Sequence, residues 1–227
     1  VVRPAFDPAR VSVGILHLGL GAFHRAHQAM VFNALLQQGD PRWGVLGVAM
    51  HNPLVADALA RQDGLYAVQI ADRDGVRWQV AGAMLKTCVA SREPDLVTAA
   101  IAAPATRWIT LTVTEKGYGP ELAALLVRGL AQRQAAGLGG LTVASCDNLS
   151  HNGDQLRALC LAQAAAHNAA LASWIDQHCT FPNSMVDRIV PAATPARLQA
   201  ARAALGVADQ AALGTEGFWE WVIERRF

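Results

Sequence analysis

The stretch Ile15-Leu16-His17-Leu18-Gly19-Leu20-Gly21-Ala22-Phe23-His24-Arg25-Ala26-His27-Gln28 constrains the fold more than any other part of the chain. It reads as a short apolar strand, a glycine turn and the start of a helix, the opening of a dinucleotide-binding βαβ unit. Gly19 permits the tight turn, and Gly21 lets the backbone approach a pyrophosphate with no Cβ in the way. Helix N–H groups after the turn face the phosphates, and the helix dipole favours negative charge there. The pattern departs from G-x-G-x-x-G at its last position, which is His24. Taken alone, such a broken fingerprint is equally compatible with a turn whose glycines only relieve strain.

A chain of 227 residues can bury a real core, as one large domain or two small ones. Its apolar fraction of 52% and charged fraction of 16% are those of a globular protein. A net charge of +1 provides no field for nucleic acid or an anionic membrane surface. No secretory pattern opens the sequence, because Arg3, Asp7 and Arg10 interrupt it. The richest apolar stretch, 159–175, is broken by Gln163, His167 and Asn168, so no bilayer span is expected. Cys88, Cys146, Cys160 and Cys179 are far apart with no C-x-x-C, and read as reduced core thiols of a cytoplasmic protein.

In chain order, a strand is expected over 11–18 and a helix over 25–38, with Ala29, Phe32, Leu35 and Leu36 on one face. Gly39-Asp40-Pro41 ends that helix, and 44–50 is a continuous apolar run of the kind buried in a parallel sheet. The residue closing this second strand normally reads the adenosine ribose. Here the candidates are His51 and Asn52, neither the acid that favours NAD nor an arginine for NADP. After a helix over 54–61, runs at 65–71 and 76–82 flank Asp72-Arg73-Asp74-Gly75, a hairpin signal. This hairpin, about 65–83, is expected at the edge of the sheet or as an insertion. A helix over 94–103, a strand over 107–114, a helix over 121–135 and a strand over 141–146 follow.

Two of these strands run into polar loops, Thr114-Glu115-Lys116 and Asp147-Asn148, as the first runs into the glycine turn. In an open parallel sheet such loops gather at the carboxyl edge, where ligands bind. The fold class expected is therefore α/β, a Rossmann-like doubly wound and mostly parallel sheet with the hairpin inserted. One or two helices over 153–179 lead to a strand-like segment, 181–191, that holds Asp187 and Arg188 between apolar flanks. That pair reads as a mutually satisfied ion pair or as an anchor for a polar ligand. The aromatic tail, 216–227, either folds back on its own sheet or leads into a further domain.

Four blocks resemble a known family: Gly19-x-Gly21-x-Phe23-His24-Arg25-Ala26-His27-Gln28, Thr112-Val113-Thr114-Glu115-Lys116-Gly117-Tyr118, Ser145-Cys146-Asp147-Asn148-x-x-x-Asn152-Gly153, and Phe181-Pro182-Asn183-x-Met185-Val186-Asp187-Arg188-Ile189. Together they resemble the N-terminal domain of the polyol-specific long-chain dehydrogenase/reductases, the mannitol 2-dehydrogenase and fructuronate (mannonate) reductase family, in which histidine normally replaces the third glycine. The resemblance covers essentially all of 1–227 and leans around 49–66 toward the uronate reductases. It implies hydride transfer between NAD, with NADP left open, and a sugar alcohol or its ketose, or a keto-sugar acid.

By the same resemblance, Gly19, Gly21, Phe23, His24, Arg25, Thr114, Glu115 and Lys116 are the cofactor-binding candidates, with Arg25 facing phosphate or capping packing. Asn148 would hold the reacting oxygen where negative charge develops, and Asp187 would contact substrate or organise the site. The family's general base is a lysine in a K-x-x-x-x-N-x-x-H helix of a second, helical domain. Lys86 and Lys116 are the only lysines here, and neither sits in such a pattern. The chain is thus expected to be the cofactor-binding half, with the helical catalytic domain as its missing partner.

Other readings are weaker. His24 and His27 lie three apart but lack a third ligand, so no metal is expected. Glu115 and Lys116, adjacent in an extended loop, point apart. Ser145, Asp147 and His151 lack the G-x-S-x-G elbow of a hydrolase. A nucleotide-binding regulatory module and another nucleotide-using α/β enzyme, such as a methyltransferase, remain as alternatives.

Overall fold

The computed structural model describes residues 1–226. In order these form β1 (Val13–Leu18), α1 (Ala22–Ala26), α2 (Gln28–Gln37), β2 (Gly44–Ala49), α3 (Leu54–Ala60), β3 (Tyr66–Asp72), β4 (Gly75–Ala81), β5 (Met84–Val89), α4 (Pro94–Ile101), β6 (Trp108–Leu111), α5 (Pro120–Ala135) and β7 (Thr142–Ser145). After them come α6 (Asn152–Ala165), α7 (Ala169–His178), β8 (Ser184–Asp187), α8 (Pro195–Leu205), β9 (Leu213–Glu216) and β10 (Glu220–Ile223).

The central sheet has the order β5-β2-β1-β6-β7, with every neighbouring pair parallel. Each strand alternates between two packed faces, so the near-continuous apolar runs are those of a sheet covered on both sides. Leu16 and Leu18 point to one face, with Leu46, Val48, Ile109, Leu111 and Val143, against α4, α5, α6 and α7. Ile15 and Val45 point to the other, against α1, α2, α3 and the β3–β4 hairpin. Val97, Ile101, Leu122, Leu126 and Leu130 are all sealed in the first core. Burying a side chain of that size contributes roughly 1.5–3 kcal/mol.

The hairpin forms where Asp72-Arg73-Asp74-Gly75 predicted it, with Gly75 at φ +120°. Of the two positions expected for it, the edge of the sheet or an insertion, it takes the second. β3 and β4 belong to a separate sheet with the order β4-β3-β9, and β9 runs parallel to β3. Tyr66, Val68 and Ile70 drive this placement, since they are buried against α1 and α2 instead of lying along the central sheet. The sheet edge is taken by β5, a strand the sequence pattern concealed because Lys86 and Thr87 interrupt its apolar run.

The helix expected over 25–38 also differs. It begins at Ala22 and breaks at His27, whose φ and ψ of −116° and −90° lie outside the helical region. The break lets the His27 ring stack on Phe23, with centroids 5.0 Å apart, and engage the Glu220 carbonyl at 2.8 Å. The 153–179 region resolves into α6 and α7, the second capped by the Asn168 side chain on the N–H groups of Ala170 and Leu171.

Within the aromatic tail, β10 pairs antiparallel with β8. Trp221 stacks on Trp108 at 5.5 Å and meets Phe32 edge-on at 6.2 Å. Phe218 and Trp219 remain about half exposed, and Phe227 lies outside the described residues. A two-stranded ribbon is marginal by itself, and Trp221 is its aromatic anchor. Trp221→Ala is expected to lower stability by about 2 kcal/mol, because the side chain is only partly buried. A change of less than about 0.5 kcal/mol in urea unfolding would show that the β8–β10 pairing holds without it.

Candidate functional site: a cleft at the switch point of the parallel sheet

From β1 the chain winds outward through β2 to β5, then returns to the other side of β1 for β6 and β7. The loops leaving β1 and β6 therefore diverge, and ligands of open α/β sheets bind where this occurs. A cleft of about 410 Å³ lies at that point. Gly21, Ala22 and Phe23 line it from the turn after β1, Thr112 and Thr114 from the loop after β6, and Cys146, Asp147 and Asn148 from the loop after β7. Val186, Asp187 and Arg188 close it from β8 and beyond.

The glycine turn is fixed from behind. Gly19 has φ +101°, and a Cβ there would stand 2.0 Å from the Thr112 carbonyl oxygen. The Thr112 hydroxyl donates to the Gly19 carbonyl at 2.8 Å and lies 2.9 Å from His17 Nε2. Gly21 differs: its φ is −87°, and a Cβ there would meet only the Gly19 carbonyl oxygen, at 4.0 Å. Nothing in the fold itself needs a glycine at position 21.

Beyond β6 the chain passes through Thr114 at φ +63° and ψ 166°, a region that only glycine enters without strain. Asp147 holds it there, its Oδ1 accepting from the Thr114 N–H at 2.9 Å and its Oδ2 from the Val113 N–H at 3.1 Å. The Tyr118 hydroxyl donates to Oδ2 at 3.2 Å and also engages the Ser145 hydroxyl. Burial pushes the Asp147 carboxyl above its ordinary value, opposed by these three donors. Burial likewise pushes up the Tyr118 hydroxyl and the Cys146 thiol.

Asn152 and Asn183 join the last two sequence blocks. Asn152 donates to the carbonyls of Asp147 and Ser184 and accepts from the Ser184 N–H, each at 2.9 Å. The Asn183 side chain accepts from the N–H of Gly153 at 2.9 Å and of Asp154 at 3.2 Å. These bonds set β8 against the loop after β7, leaving Asn148 and Asp187 exposed on the cleft.

Six of the sequence candidates, Gly21, Phe23, Thr114, Asn148 and Asp187 on the cleft wall and Gly19 beneath the turn, are therefore brought together. His24 and Arg25 are not: of the two roles open to each, beside a phosphate or within the packing, the structure puts both side chains in the packing. His24 is fully buried and stacks on His17 with ring centroids 3.3 Å apart. Arg25 is buried behind the turn. It donates to the Gly21 carbonyl at 3.3 Å and to the Ala211 carbonyl, and lies over the Tyr66 ring. Its charge is spent inside the fold, and burial lowers its pKa.

Glu115 and Lys116 occupy a 3-10 turn, Glu115–Gly117, not the extended loop expected, and both are exposed beside the cleft. Asp187 and Arg188 do not form the ion pair that their adjacency suggested. Arg188 turns inward to the carbonyls of Glu216, at 2.9 Å, and Ala26. The four cysteines are free and buried. Among the described residues no helix is long and apolar enough to cross a membrane.

A family model described as the mannitol dehydrogenase Rossmann domain matches residues 13–227. The chain belongs to the mannitol dehydrogenase family. Its Rossmann-like fold agrees with solved members. One is the Pseudomonas fluorescens mannitol 2-dehydrogenase in ternary complex with NAD and D-mannitol, 34% identical with a TM-score of 0.92 over 99% of this chain and 51% of that one. A D-sorbitol dehydrogenase in substrate-free form is 32% identical with a TM-score of 0.91 over 99% of this chain and 52% of that one. Among curated relatives, D-mannonate oxidoreductase of Escherichia coli (strain K12) is 36% identical over all of this chain and 53% of its own length. Mannitol 2-dehydrogenase of Phaeosphaeria nodorum is also 36% identical, over all of this chain and 45% of its own length. This mannitol dehydrogenase Rossmann domain thus spans about half the length of the curated relatives it matches.

Proposed function

We propose that the chain is the cofactor-binding half of a mannitol dehydrogenase-type oxidoreductase, and that the switch-point cleft takes NAD. The observation that carries this reading is Gly21. Its bare backbone forms part of the cleft wall with open space before it, leaving room for an occupant to lie directly against the main chain. A dinucleotide pyrophosphate lying against the backbone is such an occupant. Gly19, Gly21 and Phe23 would hold it from below, and the Thr114–Lys116 segment would cover it from the side.

NAD supplies the hydride acceptor for oxidation of a secondary alcohol. Asn148, a neutral donor exposed on the same cleft, would stabilise charge on the reacting oxygen, and Asp187 would orient the substrate. The proton would go to a lysine of the remaining half, since neither Lys86 nor Lys116 lines the cleft. The substrate class is a sugar alcohol or a hydroxy sugar acid; the equal identities to a mannonate and a mannitol enzyme favour neither. The buried free thiols fit a reducing, cytoplasmic setting.

Fluorescence titration with NADH, and with NADPH in parallel, tests the reading. Saturable binding of NADH is expected, lost in Gly21→Val while the circular dichroism spectrum stays unchanged. A wild-type chain that binds neither nucleotide, or a Gly21→Val chain that binds as wild type does, would overturn it. Recovery of polyol oxidation on adding a second chain that carries the lysine helix is the expected result for the whole reaction.

A further inference from the structure

The loop after β6 carries a contradiction that its own sequence does not resolve. Thr114 is β-branched, yet it sits in a backbone region reserved for glycine, at a cost of about 1–3 kcal/mol. Such a residue persists only where its surroundings over-determine it, and Asp147 is what does so. Asp147 is 8% exposed, and its two carboxylate oxygens take three donors: two consecutive backbone N–H groups of the strained segment and the Tyr118 hydroxyl.

The network closes on itself. With Tyr118 donating to Asp147, the Ser145 hydroxyl donates to the Tyr118 oxygen, and Ser145 Oγ accepts from the Asp147 N–H at 3.2 Å. Each polar hydrogen in this chain has one acceptor. Asp147 is also the immediate neighbour of Asn148, so one residue anchors both the Thr114 loop and the loop bearing the proposed oxyanion donor.

We propose that Asp147 is a positioning residue for nucleotide binding: its carboxylate holds the Val113–Thr114 backbone in its strained conformation on the wall of the cleft and ties it, through Tyr118 and Ser145, to the loop that carries Asn148. The proposal rests on the reading of the cleft as a nucleotide site. An asparagine in the same place offers one acceptor and turns an N–H group toward a backbone N–H, so one of the two amides loses its partner. Thr114 then relaxes toward an ordinary β conformation, and the wall of the cleft changes shape.

The test is an NADH titration of the wild-type chain, Asp147→Asn and the double variant Asp147→Asn/Thr114→Gly, with circular dichroism on each. Asp147→Asn is expected to raise the Kd for NADH by about tenfold or more. The double variant is expected to recover most of the affinity, because glycine takes the same φ and ψ without being held. Binding by Asp147→Asn within about twofold of wild type overturns the proposal. So does a loss that Thr114→Gly fails to restore, since Asp147 would then be supporting β7 and not the strained loop.

Should Asp147→Asn fail to fold, Tyr118→Phe is the milder probe, as it keeps the ring and removes only the hydroxyl between Asp147 and Ser145. A rise in Kd of about threefold is expected from it, and no rise overturns the proposal. Failure of the wild-type chain to bind NADH is a different result, one that overturns the nucleotide reading itself.

Discussion

Gly19→Ala is expected to destabilise the chain by about 3 kcal/mol or more and to abolish nucleotide binding. Two separate causes act together. The backbone at Gly19 has φ +101°, a region that L side chains enter only under strain. A methyl group there would also stand 2.0 Å from the Thr112 carbonyl oxygen and 2.6 Å from its carbon, both backbone atoms at the end of β6. No rotamer change relieves that overlap, so β1 and β6 must separate at the point where the cleft opens. For a chain of this size the melting temperature should fall by roughly 6–12 °C. Gly21→Ala is the control, since its Cβ meets only one atom, at 4.0 Å, and it should melt close to wild type. A Gly19→Ala chain that melts within 2 °C of wild type, a limit of about 1 kcal/mol, would show that the end of β6 yields freely.

Acid is expected to weaken the fold beginning near pH 6.5, well above the usual carboxylate range. His17 and His24 are both fully buried and stacked on one another behind the glycine turn. Burial holds His17 down to about 3, opposed by the Gly19 carbonyl, and burial together with the His17 charge holds His24 well below 6.5. The sign follows from the depressed folded values. Above the unfolded pKa both rings are neutral in both states and their contribution to stability is complete. Below it the unfolded chain takes up protons that the folded chain refuses, and stability falls by about 1.4 kcal/mol per pH unit for each histidine. Urea unfolding at pH 7, 6 and 5 measures the slope, and His24→Phe, which keeps the ring stack, should remove one proton's worth of it. An unfolding free energy that stays flat from pH 7 to 5 would mean that these rings can be protonated in place.

Much of the fold is local chemistry, which is why the sequence discloses it. Continuous apolar runs marked β1, β2, β6 and β7 to within a few residues, and Asp-Gly marked the hairpin. β9 and α8 escaped because their pattern is weak: Leu213-Gly214-Thr215-Glu216 has a single large apolar side chain and takes its strand form only by lying against β3. At the site, the glycine turn, Thr114 and Asn148 are legible because they follow strands that a parallel sheet must bring to one edge, whereas Asp187, on the antiparallel β8–β10 ribbon, is legible only through its sequence block. Arg25 stays open in the sequence between phosphate and packing, because a basic residue after a glycine turn suits either and the carbonyl that decides it lies far along the chain. The role of Asp147 was invisible, since it depends on a backbone angle at Thr114 that residue type argues against.

The partner of Arg25 also bears on how the molecule is assembled in time. Its guanidinium is satisfied by the carbonyl of Ala211, 186 residues later, in the segment leading into β9. β9 itself inserts beside β3, and β10 beside β8, so the ground under the glycine turn is completed by residues made long after it. A nascent chain emerging from the ribosome carries the nucleotide motif from the outset, yet with a buried cation still lacking its acceptor. Contacts of such long sequence separation form slowly and late. Binding competence should therefore arrive only once the segment through β10 has been made, so a nucleotide is captured by a finished floor and not by a half-built one.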